Sequence, residues 1–140
     1  MLKKRNNDHL FVNYQKLFFL SYFIFPLIFF DQISKTLAGK YYFSVCNNFG
    51  VFGLVTGGFP VYLGVLLVVA YAIFVERRKL ALMGLAFIFA GGLSNIIDRL
   101  LIGCVRDFIK ILNFPIFNLA DVFITFGVVL AIFSLVKNKK

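Results

Sequence analysis

The sequence predicts an all-α integral membrane protein built from four transmembrane helices. Three observations carry that prediction. Of 140 residues, 61% are hydrophobic and only 15% are charged. The apolar residues gather in four runs, each near the roughly 20 residues that a helix needs to cross about 30 Å of hydrocarbon. The charges fall between those runs and not along one face of them. A soluble domain would have to leave much of this apolar surface in water, where burial is worth roughly 25 cal/mol per Å², so an ordinary cytosolic enzyme is excluded. A net charge of +9 would suggest nucleic acid in a soluble chain, but the cations form no stripe.

In chain order the runs are Leu17 to about Ala38, Leu54 to Val75, Leu80 to Ile97 and Ile116 to Val136. Pro26, Pro60 and Gly84 interrupt them without excluding helices, because Pro and Gly are commoner in membrane helices than in soluble ones. Lys3, Lys4, Arg5 and Lys16 precede the first run, Arg77, Arg78 and Lys79 fill the link after the second, and Lys137, Lys139 and Lys140 follow the fourth. An even number of spans puts these groups on one side, which the positive-inside rule makes the cytoplasm. Lys35, Lys40, Arg99, Arg106 and Lys110 then fall at or beyond the outer interface, with the segments 39–53 and 98–115 facing out. The chain divides into a cytoplasmic basic tail (1–16), a four-helix membrane domain (17–136) and a second basic tail (137–140). A cleaved signal peptide ending near Thr36-Leu37-Ala38 is the rival reading of the first run, and Asp31 and Lys35 argue against it. Cys46 and Cys104 both lie on the outer side, where a disulfide is chemically possible; their spacing gives it no support, and they read as two separate interfacial thiols.

The acidic residues are the most informative feature, because a charge in hydrocarbon costs a few kcal/mol even on mild insertion scales. Only Asp8 and Glu76 fall on the cytoplasmic side. Counted from the nearest cytoplasmic cation at about 1.5 Å per residue, Asp31, Asp98 and Asp121 lie at depths of roughly 22, 28 and 24 Å, one level in the outer third of the bilayer. Asp107, in the link between the third and fourth runs, can fold back to that level. Asp31 and Lys35 are spaced to pair on one helix face. Gly91, Gly92, Asn95, Asp98 and Arg99 give the third run a close-packing patch with a polar end. Asn118 and Asp121 are three apart, and Thr125 extends their face.

Other chemistry is missing from the sequence. The single histidine, His9, lies in the basic tail, no His and Cys have metal-ligand spacing, and no Ser or Cys nucleophile has a histidine to activate it. Asn48-Phe49-Gly50-Val51-Phe52-Gly53 lacks the lysine of a phosphate-binding loop. Two aspartates in a partly dry pocket do not easily ionise together, so one holds a proton while the other acts as base. That is the equipment of aspartic peptide-bond hydrolysis. A small transporter or proton-relay subunit is the alternative, since intramembrane acids also mark ion pathways; it calls for acids at staggered depths.

Four strings in order, Asp31-Gln-Ile-Ser-Lys35, Gly91-Gly-Leu-Ser-Asn95-Ile-Ile-Asp98-Arg99, Val105-Arg-Asp107-Phe108 and Phe117-Asn118-Leu-Ala120-Asp121, resemble lipoprotein signal peptidase (signal peptidase II). The resemblance covers about residues 17–136. It implies a four-helix bundle with a small extracytoplasmic β-like platform in the 39–53 segment, in a bacterial plasma membrane. The implied activity is cutting the signal peptide from a prolipoprotein just before a diacylglyceryl-modified cysteine, so the partners are lipid-modified prolipoproteins and membrane lipid, not nucleic acid. Asp107 and Asp121 match the catalytic dyad. Asp31, Lys35, Asn48, Gly50, Asn95, Arg99 and Asn118 match positions that shape or polarise the pocket, and Asp98 matches one that braces an outer-side cation. No metal or organic cofactor is implied. The loop departs from the family pattern, with Phe52 one residue early, and Ser94 stands where a glycine is common.

Overall fold

Helix α1 (Leu2–Tyr41) runs on through Pro26 into the short strand β1 (Val45–Asn47), after which come α2 (Gly58–Val75), α3 (Lys79–Ile102), the strand β2 (Val105–Asp107) and α4 (Leu119–Lys137). The structure, a computed structural model, describes residues 2–48 and 58–137, with side chains from Lys16 onward except those of Leu17 and Phe19. Gly50, Phe52 and the rest of the predicted loop motif beyond Asn48 lie outside the described residues, as do Lys139 and Lys140.

Helices α2, α3 and α4 are each long and apolar enough to cross a membrane. Pro60 sits in the first turn of α2, where a missing N–H leaves no hydrogen bond unmade. At the other end of α2, Lys16 Nζ donates to the carbonyl oxygens of Phe74 (3.1 Å) and Glu76 (2.7 Å), closing off the helix C-terminus. Several boundaries differ from the sequence reading: α1 already begins at Leu2, well before Leu17, and runs to Tyr41. α3 continues past Ile97 to Ile102, because Asp98 and Arg99 find partners and stay helical; it stops at Gly103, whose φ of 86° suits glycine and whose N–H donates to Arg99 O at 3.1 Å. α4 starts at Leu119 instead of Ile116, because Phe117 is held extended against Phe108 and Ile109.

Polarity is inverted relative to a soluble protein. The largest fully buried side chains are Lys35, Asn118, Asp31, Asp98, Asp107 and Ser94, while Phe18, Tyr22, Phe25, Leu67, Phe74 and Phe133 stand outward. Such a surface suits lipid, and such an interior suits a polar site. α3 is the central helix and packs on α4, α1 and α2. Its contact with α4 is made by glycines: a Cβ on Gly84 would lie 2.7 Å from Gly127 O and 2.8 Å from Ala131 N, and one on Gly91 would press into Ala120 O. Small residues let two helix backbones approach this closely. Further along, Phe87 packs edge-on against both Phe23 of α1 and Phe126 of α4, each at 5.0 Å.

β1 falls within the segment expected to hold a platform, but its partner β2 comes from the link between α3 and α4. The two run antiparallel, with Val45 opposite Asp107, Cys46 opposite Arg106 and Asn47 opposite Val105. This pairing overturns the reading of Cys46 and Cys104 as separate thiols. They form a disulfide, with Cα atoms 5.5 Å apart, because the ribbon brings together two cysteines 58 residues apart in sequence.

Candidate active site

Asn118 is the N-cap of α4. Its Oδ1 accepts the Asp121 N–H (3.0 Å), and Asp121 Oδ2 accepts the Asn118 N–H (3.3 Å), a reciprocal cap that satisfies two free donors of the helix start. Asp121 is thereby fixed in the first turn, pointing back toward the link from α3. A third free donor, Ala120 N–H, is taken by Asp31 Oδ1 from α1 at 2.8 Å.

The same Asn118 reaches the other aspartate. Its Nδ2 donates to Asp107 Oδ1 at 2.6 Å and lies 3.2 Å from Asn95 Oδ1. Asn95 in turn donates from Nδ2 to Asp121 Oδ1 at 3.0 Å. The structure therefore gathers Asp107, Asp121, Asn95 and Asn118 into one buried cluster drawn from β2, α3 and the start of α4. Asp107 Oδ2 accepts a further amide at 2.7 Å, from Asn47 of β1. Burial pushes the Asp107 carboxyl above the ordinary carboxylate range, opposed by the hydrogen bonds from Asn47 and Asn118.

Lys35 lies behind this cluster, fully buried. Its Nζ is 2.7 Å from Asp31 Oδ2, 3.5 Å from Asp98 Oδ2 and 2.8 Å from Asn95 Oδ1. By holding Asn95 Oδ1, the ammonium turns the Asn95 amide so that its N–H faces Asp121. Asp98 braces Arg106 of β2, 2.8 Å from its Nη2, and accepts the Arg106 N–H at 3.0 Å. Gln32 and Ser94 complete the layer: Ser94 Oγ donates to Asp31 Oδ2 (2.7 Å), and Gln32 Nε2 donates to Ser94 Oγ (2.9 Å) and Asp98 Oδ1 (3.0 Å). Every buried side-chain nitrogen and oxygen among the described residues has a partner, as a polar cluster in a low-dielectric interior requires.

A cleft of about 180 Å³ opens onto the two aspartates between α2, α3 and α4, walled by apolar side chains such as Val65, Leu66, Val69 and Ile124. Arg99 also lines it, with the guanidinium 4.1 Å above the Tyr62 ring and Nη1 donating to Asn95 O at 3.3 Å. Of the residues predicted from sequence, Asp31, Lys35, Asn95, Arg99, Asp107, Asn118 and Asp121 meet here. Asn48 instead stands exposed just beyond β1, and the amide that reaches Asp107 is that of its neighbour Asn47. The sequence does not single out Gln32, and it marks Arg106 only as an outer-side cation; both sit inside the motif strings, and the tertiary contacts give them a role.

A family model described as signal peptidase (SPase) II matches residues 23–137. Similar curated proteins include the lipoprotein signal peptidase of Moorella thermoacetica, 38% identical over 97 residues that make up 65% of each chain. That of Caldicellulosiruptor bescii is 32% identical over 126 residues, 77% of this chain and 84% of its own length. Among solved structures, a bacterial membrane enzyme determined by the in meso method at 2.3 Å superposes with a TM-score of 0.73 at 27% identity, covering 84% of this chain and 87% of that one.

Proposed function

The chain belongs to the signal peptidase II family, a family of proteases, and we propose that it removes signal peptides from lipoprotein precursors as an aspartic endopeptidase with Asp107 and Asp121 as its dyad. The observation that carries this reading is the bridge through Asn118, one side chain that donates to Asp107 and caps the turn holding Asp121. The amide donors on Asp107, at 2.6 and 2.7 Å, are closer than those on Asp121, at 3.0 and 3.3 Å. Shorter bonds mark the better stabilised anion, so Asp107 is the ionised base and Asp121 carries the proton.

The reaction follows from that assignment. Asp107 takes a proton from a water molecule as its oxygen attacks the scissile carbonyl carbon, and Asp121 gives its proton to the carbonyl oxygen. When the tetrahedral adduct collapses, the C–N bond breaks, the proton held by Asp107 passes to the leaving amine, and one hydroxyl proton of the adduct returns to Asp121 as the carbonyl re-forms. Asn95 and Asn118 orient the dyad, and Arg99, which lines the cleft, stabilises the developing charge on oxygen. Asp31, Lys35 and Asp98 hold the frame. The apolar cleft walls suit an apolar segment of signal peptide presented from within the bilayer.

All four helices span the bacterial plasma membrane, residues 1–16 and 137–140 are cytoplasmic basic tails, and the dyad lies near the outer face. Arg77, Arg78 and Lys79 at the end of the bundle away from the aspartates support this orientation. The Cys46–Cys104 disulfide at the aspartate end supports it independently, since disulfides persist on the oxidising side.

The substrate's cysteine carries diacylglyceryl, whose chains anchor it at about 0.8 kcal/mol per buried CH₂ and fix the depth of the scissile bond. The test is to incubate purified protein in lipid nanodiscs with a prolipoprotein in lipidated and unmodified forms, and to follow release of the signal peptide. Cleavage of the lipidated form alone is expected, abolished by Asp107→Asn and by Asp121→Asn. Equal cutting of both forms, or substantial activity in either variant, would overturn the reading.

A further inference from the structure

We propose that Asn47 is a positioning residue for Asp107, and that the Cys46–Cys104 disulfide, by pinning the β1–β2 register, makes cleavage depend on the redox state of the outer face. The inference rests on the dyad reading above. It begins with the ribbon, whose two faces do different work. Because Asn47 is opposite Val105, its diagonal neighbour on one face is Asp107, two residues on. Across that diagonal Asn47 Nδ2 donates to Asp107 Oδ2 at 2.7 Å. Because Cys46 is opposite Arg106, its diagonal neighbour on the other face is Cys104, and across that diagonal lies the disulfide. One face sets the aspartate, and the other locks the two strands.

The lock is needed because the ribbon is short. Each strand has three residues, and an isolated two-stranded ribbon is marginally stable even when longer. A slip of one residue would turn Asn47 to the opposite face and present a neighbour to Asp107. β2 is anchored without the disulfide, through Arg106 to Asp98, Gln32 and Thr36 and through Asn118 to Asp107. β1 is held to β2 by its ladder, by the Asn47–Asp107 hydrogen bond and by the covalent bond. Loss of the disulfide therefore falls on β1, and on Asn47 within it.

Cys46 is exposed, so a dithiol can reach its sulfur. The dithiol's thiolate attacks Cys46 Sγ and Cys104 leaves as a thiolate; the second thiol then closes the reagent into its own disulfide and frees Cys46. Two electrons and two protons pass from reagent to protein, leaving two cysteine thiols. The charged groups facing Asp107 are Asp121 of α4, Lys35 of α1 and Arg99 of α3, and reduction touches none of them.

The test uses the full chain in nanodiscs with lipidated prolipoprotein, comparing wild type, Asn47→Leu, the Cys46→Ser/Cys104→Ser double variant, the triple combination and wild type reduced with dithiothreitol. Asn47→Leu keeps the volume and removes the donor. Its kcat should fall about tenfold to a hundredfold, as expected for a hydrogen bond to a charged group, with KM nearly unchanged. The acid limb of its pH profile should move up by about one unit, because a donor to the ionised form has been lost. Reduced wild type and the double variant should show the same drop and the same shift, and adding Asn47→Leu to them should cost nothing more. Should the double variant fail to fold, reduced wild type with an unchanged thermal midpoint reads the same quantity. Wild-type kcat and pH profile in Asn47→Leu, full activity after verified reduction, or losses that multiply in the triple variant would each overturn the inference. Asp107→Asn, run alongside, separates the two levels: activity there would overturn the dyad itself, whereas an inactive Asp107→Asn beside an unaffected Asn47→Leu would overturn only the role given to Asn47.

Discussion

Adding one methyl group to Gly91 should disable the enzyme from outside the dyad. A Cβ there would press into Ala120 O and lie 2.8 Å from Ile124 Cγ1 and 3.2 Å from Ala120 C. The obstacle is backbone, which cannot swing aside as a side chain can, so α3 and α4 must part by about 1 Å, at a cost typical of overpacking, about 1–3 kcal/mol. Ala120 is also the residue whose N–H is held by Asp31, and it directly precedes Asp121. The displacement is therefore delivered to the Asn95–Asp121 and Asn118–Asp107 hydrogen bonds, where a misplacement of about 1 Å is enough to cost about a hundredfold in rate. Gly91→Ala should lower single-turnover cleavage by about that factor and depress the thermal midpoint in detergent. Two glycines serve as controls. A Cβ on Gly92 would meet only the end of the Leu66 side chain, at 3.3 Å, and one on Gly64 would meet nothing within 4 Å. Gly92→Ala should be mild, and Gly64→Ala neutral or slightly stabilising through helix propensity. Wild-type rate and midpoint in Gly91→Ala would refute the claim that close packing of α3 on α4 sets the position of Asp121.

Two further outcomes are expected. Glu76, in the link between α2 and α3, is held down to about 2 by the Arg78 side chain and by backbone N–H groups, so its contribution to stability is present above the ordinary value of about 4.5 and lost as pH falls toward 2; solvent screening of this partly exposed pair keeps that contribution small. Glu76→Gln should accordingly unfold slightly earlier than wild type at pH 7 and together with it near pH 2, and a difference that persists at the lower pH would exclude the ion pair as its source. A tag placed after Lys140 should resist protease added outside intact cells, and its digestion would invert the topology.

Helices α2, α3 and α4 were legible because hydropathy alone marks a segment long enough to span. Their ends were not. Hydropathy reads Asp98 and Arg99 as the edge of the third span, yet the groups that let Asp98 stay in the helix, Arg106 and Lys35, come from another link and another helix. Asn118 and Asp121 were visible as a pair three apart, but read as one polar face they conceal a helix cap, and with it the start of α4 at Leu119. The carboxylates proposed as the dyad were legible because isolated carboxylates in an apolar chain are rare and costly. The contribution of β1 was not, because nothing local in Val45-Cys46-Asn47-Asn48 says which asparagine turns inward. That choice is made by register with a strand some 58 residues on, which also joins the two cysteines.

The polar cluster around the two aspartates pairs its other carboxylates with cations. It contains four carboxylates, of Asp31, Asp98, Asp107 and Asp121, and three cations, Lys35, Arg99 and Arg106, all within one connected set of hydrogen bonds. Asp31 lies 2.7 Å from the Lys35 ammonium and Asp98 2.8 Å from the Arg106 guanidinium, whereas the hydrogen bonds to Asp107 and Asp121 come from neutral amides and backbone N–H groups. In the proposed mechanism the Asp31–Lys35 and Asp98–Arg106 pairs thus do more than brace helices: by engaging their own cations they leave Asp107 and Asp121 facing neutral donors, free to share one proton, the state in which one can accept a proton and the other donate.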